Sequence, residues 1–178
     1  TCRRVAGRPS DHVRADRIRV QRNSTICEDE GVGSPTDDRY ADLDFNAPLS
    51  SEHCDALIST LQPLAGATVV DLGCGWGAFS LYAAERFPNS SIVGLSNSNS
   101  QREYIEQQAR QRGLANLRIV TADINHFQAD CKFDRIVSVE MMEHVRNYQR
   151  LLQKVSSWMN PDALLFVHIF THHRFAYP

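Results

Sequence analysis

Three side chains near residue 140 have the chemistry to move a proton, and three glycines near residue 75 can let a backbone close on a ligand. In Glu140-Met141-Met142-Glu143-His144 the carboxylates stand three residues apart. On a helical turn that spacing puts them on one face, with the imidazole beside them. A carboxylate pair attracts a cation, and an imidazole that titrates near neutrality can take a proton from it. Like-charge crowding is expected to raise the pKa of one glutamate. The competing reading is a solvated helix N-terminus, where Glu is favoured by the helix dipole. The glycines alternate in Asp71-Leu72-Gly73-Cys74-Gly75-Trp76-Gly77, directly after Val69-Val70 and ahead of a helical pattern. That order reads as a strand, a tight turn and a helix start, where backbone can approach a nucleotide-like ligand.

Two ligand classes compete for the turn. Gly73-x-Gly75-x-x-Ala78 formally satisfies the dinucleotide pattern, which would cradle a pyrophosphate. A nicotinamide site also needs an acid about 20 residues on, for the ribose hydroxyls. The second strand instead runs into Ser96-Asn97-Ser98-Asn99-Ser100, which holds no acid. The acid is Asp71, ahead of the first glycine, where it would repel a pyrophosphate and attract a cationic amine. A sulfonium cofactor with an amino-acid tail fits this better, and the loop resembles motif I of the S-adenosylmethionine-dependent methyltransferases. The alternative is a glycine-rich turn with no ligand, against which stands the cost of glycine to strands and helices.

These residues need a scaffold, and the pattern beyond Gly66 supplies one. Strands are expected at Thr68–Leu72, Ser91–Leu95, Leu117–Thr121, Phe133–Val139 and Ala163–Phe170, alternating with helices. Such alternation predicts an α/β fold, a mostly parallel sheet with helices on both faces. The first intervening helix ends near Phe87-Pro88, because proline stops it. The second runs from about Asn99 to Arg112, capped by Ser98 or Asn99 and closed by Gly113. A third, from about Arg146 to Met159, carries an apolar stripe of Tyr148, Leu151, Leu152, Val155, Trp158 and Met159, read as core. Asn160-Pro161-Asp162 then turns the chain into the fifth strand. Cys74 is read as a small packed residue, and Trp76 is expected to pack the first helix onto the sheet.

Ligands of open α/β sheets bind beyond the carboxyl ends of the strands. That rule nominates Asp71, Gly73 and Gly75 after strand one, and Ser96, Asn97 and Gln101 after strand two. After strand three come Asp123, able to accept from an adenine amino group, and Ile124, able to lie against its ring; the plainer role for Asp123 is a turn cap. Strand four delivers Glu140, Glu143 and His144, and strand five delivers His168. His168, His172 and His173 lie close in sequence, but one strand cannot aim all three inward, and no metal site is expected.

Composition sets the outer bounds. With 178 residues and 42% hydrophobic content, the chain is long enough for one good core. A net charge of −2 gives no electrostatic reason to expect nucleic acid or an anionic membrane. No apolar run reaches the roughly 18 residues needed to span a bilayer. Five scattered cysteines without a C-x-x-C read as reduced thiols of a cytoplasmic protein. Residues 1–47 carry sparse, unperiodic apolar residues and are expected to be disordered. An arginine-rich leader is weakened by Asp11 and Asp16. Residues 48–178 form the expected domain, opening on a helix with Cys54, Leu57, Ile58 and Leu61 on one side. Starting at Thr1 and stopping after a strand pattern, the chain reads as cut at both ends.

The stretches Ser138–Tyr148, Leu164–Phe170 and Thr171–Tyr177 resemble the coclaurine N-methyltransferase group of plants, which is related to the cyclopropane-fatty-acid synthases. The resemblance covers about Gly66 to Pro178 and includes Asn97-Ser98 where an acid would otherwise follow strand two. It implies a Rossmann-like class I methyltransferase fold, with S-adenosyl-L-methionine as cofactor and a small-molecule, alkaloid-like amine as substrate. It also implies cofactor contacts from Gly73, Gly75, Ser96, Asn97, Gln101, Asp123 and Ile124. Glu140, Glu143 and His144 would hold and deprotonate the amine. In the lipid-modifying relatives, the positions matching Glu143 and His168 help bind a bicarbonate that acts as base. A cyclopropane-forming lipid methyltransferase is the alternative; those relatives usually carry glycine at the position of Glu140. The family's aromatic N-terminal lid has no counterpart in residues 1–50, and its last strands are absent. Strand five would then be an exposed edge, open to homodimer formation or aggregation. A non-catalytic cofactor-binding fragment is the reading from another class.

Overall fold

The computed structural model describes residues 51–61 and 64–169. Five strands, β1 (Thr68–Leu72), β2 (Ser91–Ser96), β3 (Leu117–Thr121), β4 (Phe133–Val139) and β5 (Met159–His168), form one sheet in the order β3-β2-β1-β4-β5. All four pairings are parallel. The helices are α1 (Ser51–Leu61), α2 (Ala78–Arg86), α3 (Asn99–Gln111) and α4 (Tyr148–Trp158), with a short 3₁₀ turn at Met142–His144. The expected α/β architecture is therefore present. The stretches expected to be disordered or truncated, and Phe170 to Tyr177, lie outside the described residues.

Strand alternation splits the core between the two faces. On one face Val70, Leu72, Val93, Leu95 and Ile136 meet Leu151, Val155 and Trp158 of α4. On the other, Val69, Ile92 and Val137 meet Leu57 and Leu61 of α1 and Phe79 and Ala83 of α2. Helix α3 joins that second face through Ile105 and Ala109 against Ile119. Burying one such branched side chain contributes about 1.5–3 kcal/mol, so α4 is held by its stripe and not by helix propensity. Tyr148, expected in that stripe, is instead 45% exposed at the start of α4.

The local signals explain most boundaries. Gly77 enters α2 at φ +87°, where an added Cβ would stand 2.7 Å from Ile105 Cγ1. The Ser98 hydroxyl accepts the Gln101 N–H at the start of α3, and Gly113 closes that helix at φ +67°. The start of β5 departs from expectation. Met159 already pairs with Phe133, but the next pair is Arg135 with Leu164. Asn160-Pro161-Asp162-Ala163 bulges out, with Asp162 at φ +66°. Asp134 holds the bulge by accepting from Asn160 Nδ2 at 2.8 Å, while its other oxygen takes the Thr68 N–H at 2.8 Å. The turn foreseen at Asn160–Asp162 is real; it lies inside the strand rather than before it.

Candidate active site

Every exit at the carboxyl end of the sheet is tied to its neighbour by backbone. Gly73 and Cys74 donate to Leu95 O at 2.9 Å, Ala122 to Ser96 O at 2.8 Å, and Glu140 to His168 O at 2.9 Å. Above them opens a cleft of about 770 Å³, within the range for small-molecule and cofactor sites. Nine of the residues nominated by sequence line it: Gly73, Gly75, Ser96, Asn97, Gln101, Asp123, Ile124, Glu140 and His144.

The glycine turn does what its spacing suggests. Gly73 has φ +76°, and any Cβ there would collide with the Met141 side chain, so only glycine lets β1 and β4 exits approach this closely. Gly75 has φ +52° and open space where a Cβ would stand, so its backbone faces the cleft unobstructed. Ser96 donates its hydroxyl to Gln101 Oε1 at 2.5 Å and accepts the Ser98 N–H at 3.0 Å, which fixes Gln101 at the wall.

Asp71 departs from the expectation of a ligand contact. It is 3% exposed, accepts the Ser80 hydroxyl at 2.6 Å, and does not line the cleft. Burial pushes its pKa up to about 6, with the Ser80 bond pulling the other way. As the last residue but one of β1 it points into the face covered by α2, because side chains alternate and Leu72 takes the face covered by α4.

Asp123 lines the cleft and caps its own turn at the same time. Oδ1 accepts the Asn125 N–H at 2.8 Å and Asn125 Nδ2 at 2.9 Å, and Oδ2 lies 3.3 Å from His126 Nδ1. The Asn125 backbone bond, ahead of lesser contributions, holds its carboxyl below the ordinary range. Lys154 of α4 donates to Ile124 O and Asn125 O, both at 2.9 Å, and clips this loop to that helix.

The acidic cluster is built differently from the expected helical turn. Glu140 follows β4 at φ +52°, a left-handed conformation rare for a residue with a Cβ. Only Met142–His144 forms a 3₁₀ turn, so the two glutamates do not share a helix face. They are still close enough to interact: the Glu140 carboxyl is raised by burial first and by the Glu143 charge second. Crowding thus acts in the expected direction, as the smaller cause. Glu140 Oε1 also lies 3.9 Å from His168 Nδ1. His144 reaches the cleft, whereas Glu143 is half-buried and is not part of its lining.

Met141, Arg146 and Asn147 line the cleft without having been nominated. Met141 sits between two nominated residues, so its position was a signal. Arg146 and Asn147 were assigned to a helix that in fact starts at Tyr148, with Asn147 as its cap. Trp76, expected under the first helix, is 38% exposed and stacks edge-on against Tyr104 of α3 at 5.4 Å. Cys74 is buried, as expected.

The model of the mycolic acid cyclopropane synthetase family matches residues 48–176. An (S)-coclaurine N-methyltransferase of Thalictrum flavum subsp. glaucum is 46% identical over 112 residues, covering 63% of this chain and 31% of that protein. A cyclopropane-fatty-acyl-phospholipid synthase of Escherichia coli (strain K12) is 33% identical over 110 residues, 61% of this chain and 27% of that one. Among solved structures, coclaurine N-methyltransferase bound to N-methylheliamine and SAH superposes with a TM-score of 0.64 at 39% identity. That superposition covers 66% of this chain and 35% of the other. The chain spans about a third of the length of the relatives it matches.

Proposed function

Because the chain belongs to the mycolic acid cyclopropane synthetase family, we propose that it binds S-adenosylmethionine in the cleft and methylates the nitrogen of a small-molecule, alkaloid-like amine. The observation that carries this reading is the Glu140 carboxylate at the cleft wall, with the Glu143 charge beside it and His144 on the same wall. Such a cluster suits a cationic acceptor. The relative named for (S)-coclaurine N-methylation is more similar to this chain than the cyclopropane synthase.

The residues present fit the cofactor. Gly73 and Gly75 offer bare backbone, and Gln101 and Asn97 offer polar groups to a ribose. Ile124 offers an apolar face to a base, with Asp123 as an acceptor beside it. Asp71 acts from beneath the glycine turn, through its charge rather than by contact. When bound, S-adenosylmethionine supplies an electrophilic methyl group. The chain's own work is to hold the ammonium against Glu140 and to exclude water. The Glu140, Glu143 and His144 cluster takes the proton so that nitrogen keeps a free electron pair.

Cyclopropane formation on a lipid alkene is the second reading, supported by the family description. A carboxylate at position 140 argues against it, since an uncharged alkene gains nothing from a half-buried anion. Cys54 and Cys74 are buried free thiols, which suits a cytoplasmic setting. Among the described residues no helix is long and apolar enough to cross a membrane. Strand β5 pairs only with β4 among the described residues, and self-association through that edge is part of the proposal.

Titration calorimetry with S-adenosylmethionine and S-adenosylhomocysteine, with NAD as control, tests the cofactor. Micromolar binding of either, without NAD binding, is expected; the reverse overturns the reading. An amine panel followed by mass detection of the added methyl then tests the acceptor, with an unsaturated phospholipid as the competing substrate.

A further inference from the structure

Glu140 combines three features that the proposed reaction does not by itself require. Its backbone is left-handed, at φ +52°. Its N–H is held by the carbonyl of His168 at 2.9 Å. Its Oε1 lies 3.9 Å from the His168 imidazole, with the two side chains 21% and 33% exposed. Strain of this kind persists only where the surroundings hold it. Here the last residue of β5 holds the first residue after β4. Val139 pairs with His168 in register, so the contact is set by the sheet and not by a loop. His168 does not line the cleft. A third of its side chain is nevertheless open to water.

We propose that His168 is a positioning and proton-exit residue acting through Glu140, so that the pair carries the substrate's proton from the cleft to solvent. This rests on the amine reading given above. An ammonium N–H bond breaks toward the Glu140 carboxylate, forming a carboxyl O–H and leaving the electron pair on nitrogen. The carboxyl then gives that proton to the neutral His168 imidazole, and the imidazolium releases it to water at its exposed edge. The carboxylate is restored, and no co-reactant is consumed. An imidazole is the appropriate second station because its ordinary pKa lies above that of a carboxyl and near the working pH. Glu143, from the turn after β4, acts on Glu140 through its charge, and His144 of the same turn lines the cleft with Glu140.

The test reads the pair without requiring turnover. Imidazole NMR resonances of the full chain are recorded at one pH in the parent, in Glu140→Gln and in Glu140→Gly, with His168 assigned by its loss in His168→Gln. Glycine tolerates the left-handed backbone at 140, so Glu140→Gly is expected to fold even if Glu140→Gln does not. With the carboxylate 3.9 Å from Nδ1 removed, the His168 ring resonances are expected to move in both variants. Unmoved resonances in a folded variant overturn the pairing. With an active amine substrate, His168→Gln is expected to slow turnover several-fold without changing cofactor affinity, and added imidazole should restore part of the rate. A loss equal at every pH and not rescued by imidazole overturns the relay. A chain that methylates no amine yet shows the resonance changes counts against the amine reading and leaves the Glu140–His168 pairing in place.

Discussion

Asp71 and Glu140 are both carboxyls held above their ordinary range, with opposite relations to the cleft. Asp71 is sealed beneath the glycine turn with Ser80, and burial raises it from 3.8 to about 6. A carboxyl raised on folding binds more protons folded than unfolded. Its contribution is therefore most favourable below about pH 4 and is lost as the pH climbs to 6. Asp71→Asn removes that loss. The variant is expected to gain on the parent by roughly 2–3 kcal/mol above pH 6, the gap opening between pH 4 and 6 in thermal melts. A gap of the same size at every pH would show that Asp71's charge is not the cause. Glu143 is tested from the other side. Glu143→Gln should leave cofactor binding intact while lowering amine methylation about 100-fold or more. Loss of cofactor binding in that variant would remove Glu143 from the acceptor side.

The loop after β3 owes its place to an element far from it in sequence. Lys154, on α4, donates to two carbonyls of the Ile124–Asn125 turn while its ammonium lies 5.6 Å from the Trp158 ring centre. Lys154→Met keeps an apolar stem on the tryptophan and removes both donors. It is expected to lower S-adenosylhomocysteine affinity about fivefold, near 1 kcal/mol, with little change in melting temperature. Unchanged affinity would mean the turn holds itself through Asp123. Legibility at this scale follows the range of the forces. Strands β1, β3 and β4 were readable to the residue, because β-branched runs bounded by turns depend on little else. The start of β5 was not, because Pro161 looks like a boundary and only the partner strand reveals a bulge. The spacing of the glutamates predicts one helical turn, and the left-handed step at Glu140 instead accompanies the bond from its N–H to the His168 carbonyl, a contact no local pattern encodes. Trp76 is expected to pack the first helix onto the sheet, whereas Tyr104 of α3 gives it an exposed, edge-on partner.

At the scale of the whole molecule, the rule that ligands sit beyond the strand ends did most of the work. Nine nominated residues from four separate segments line one cleft, although nothing in the sequence states their distances. Asp71 was the exception, since the parity of its strand turns it under the floor. The sheet order β3-β2-β1-β4-β5 also divides labour along the chain. Strands β1 to β3, with their exits, present the glycines, Ser96, Asn97, Gln101 and Asp123. The exits of β4 and β5 present Glu140, Glu143, His144 and His168. The seam between the halves is the β1–β4 pairing, and Met141 against Gly73 is a point of side-chain contact across it. Inheritance can treat the two halves separately. On the reading proposed above, substitutions after β4 and β5 would change the acceptor while the first three exits went on holding the methyl donor.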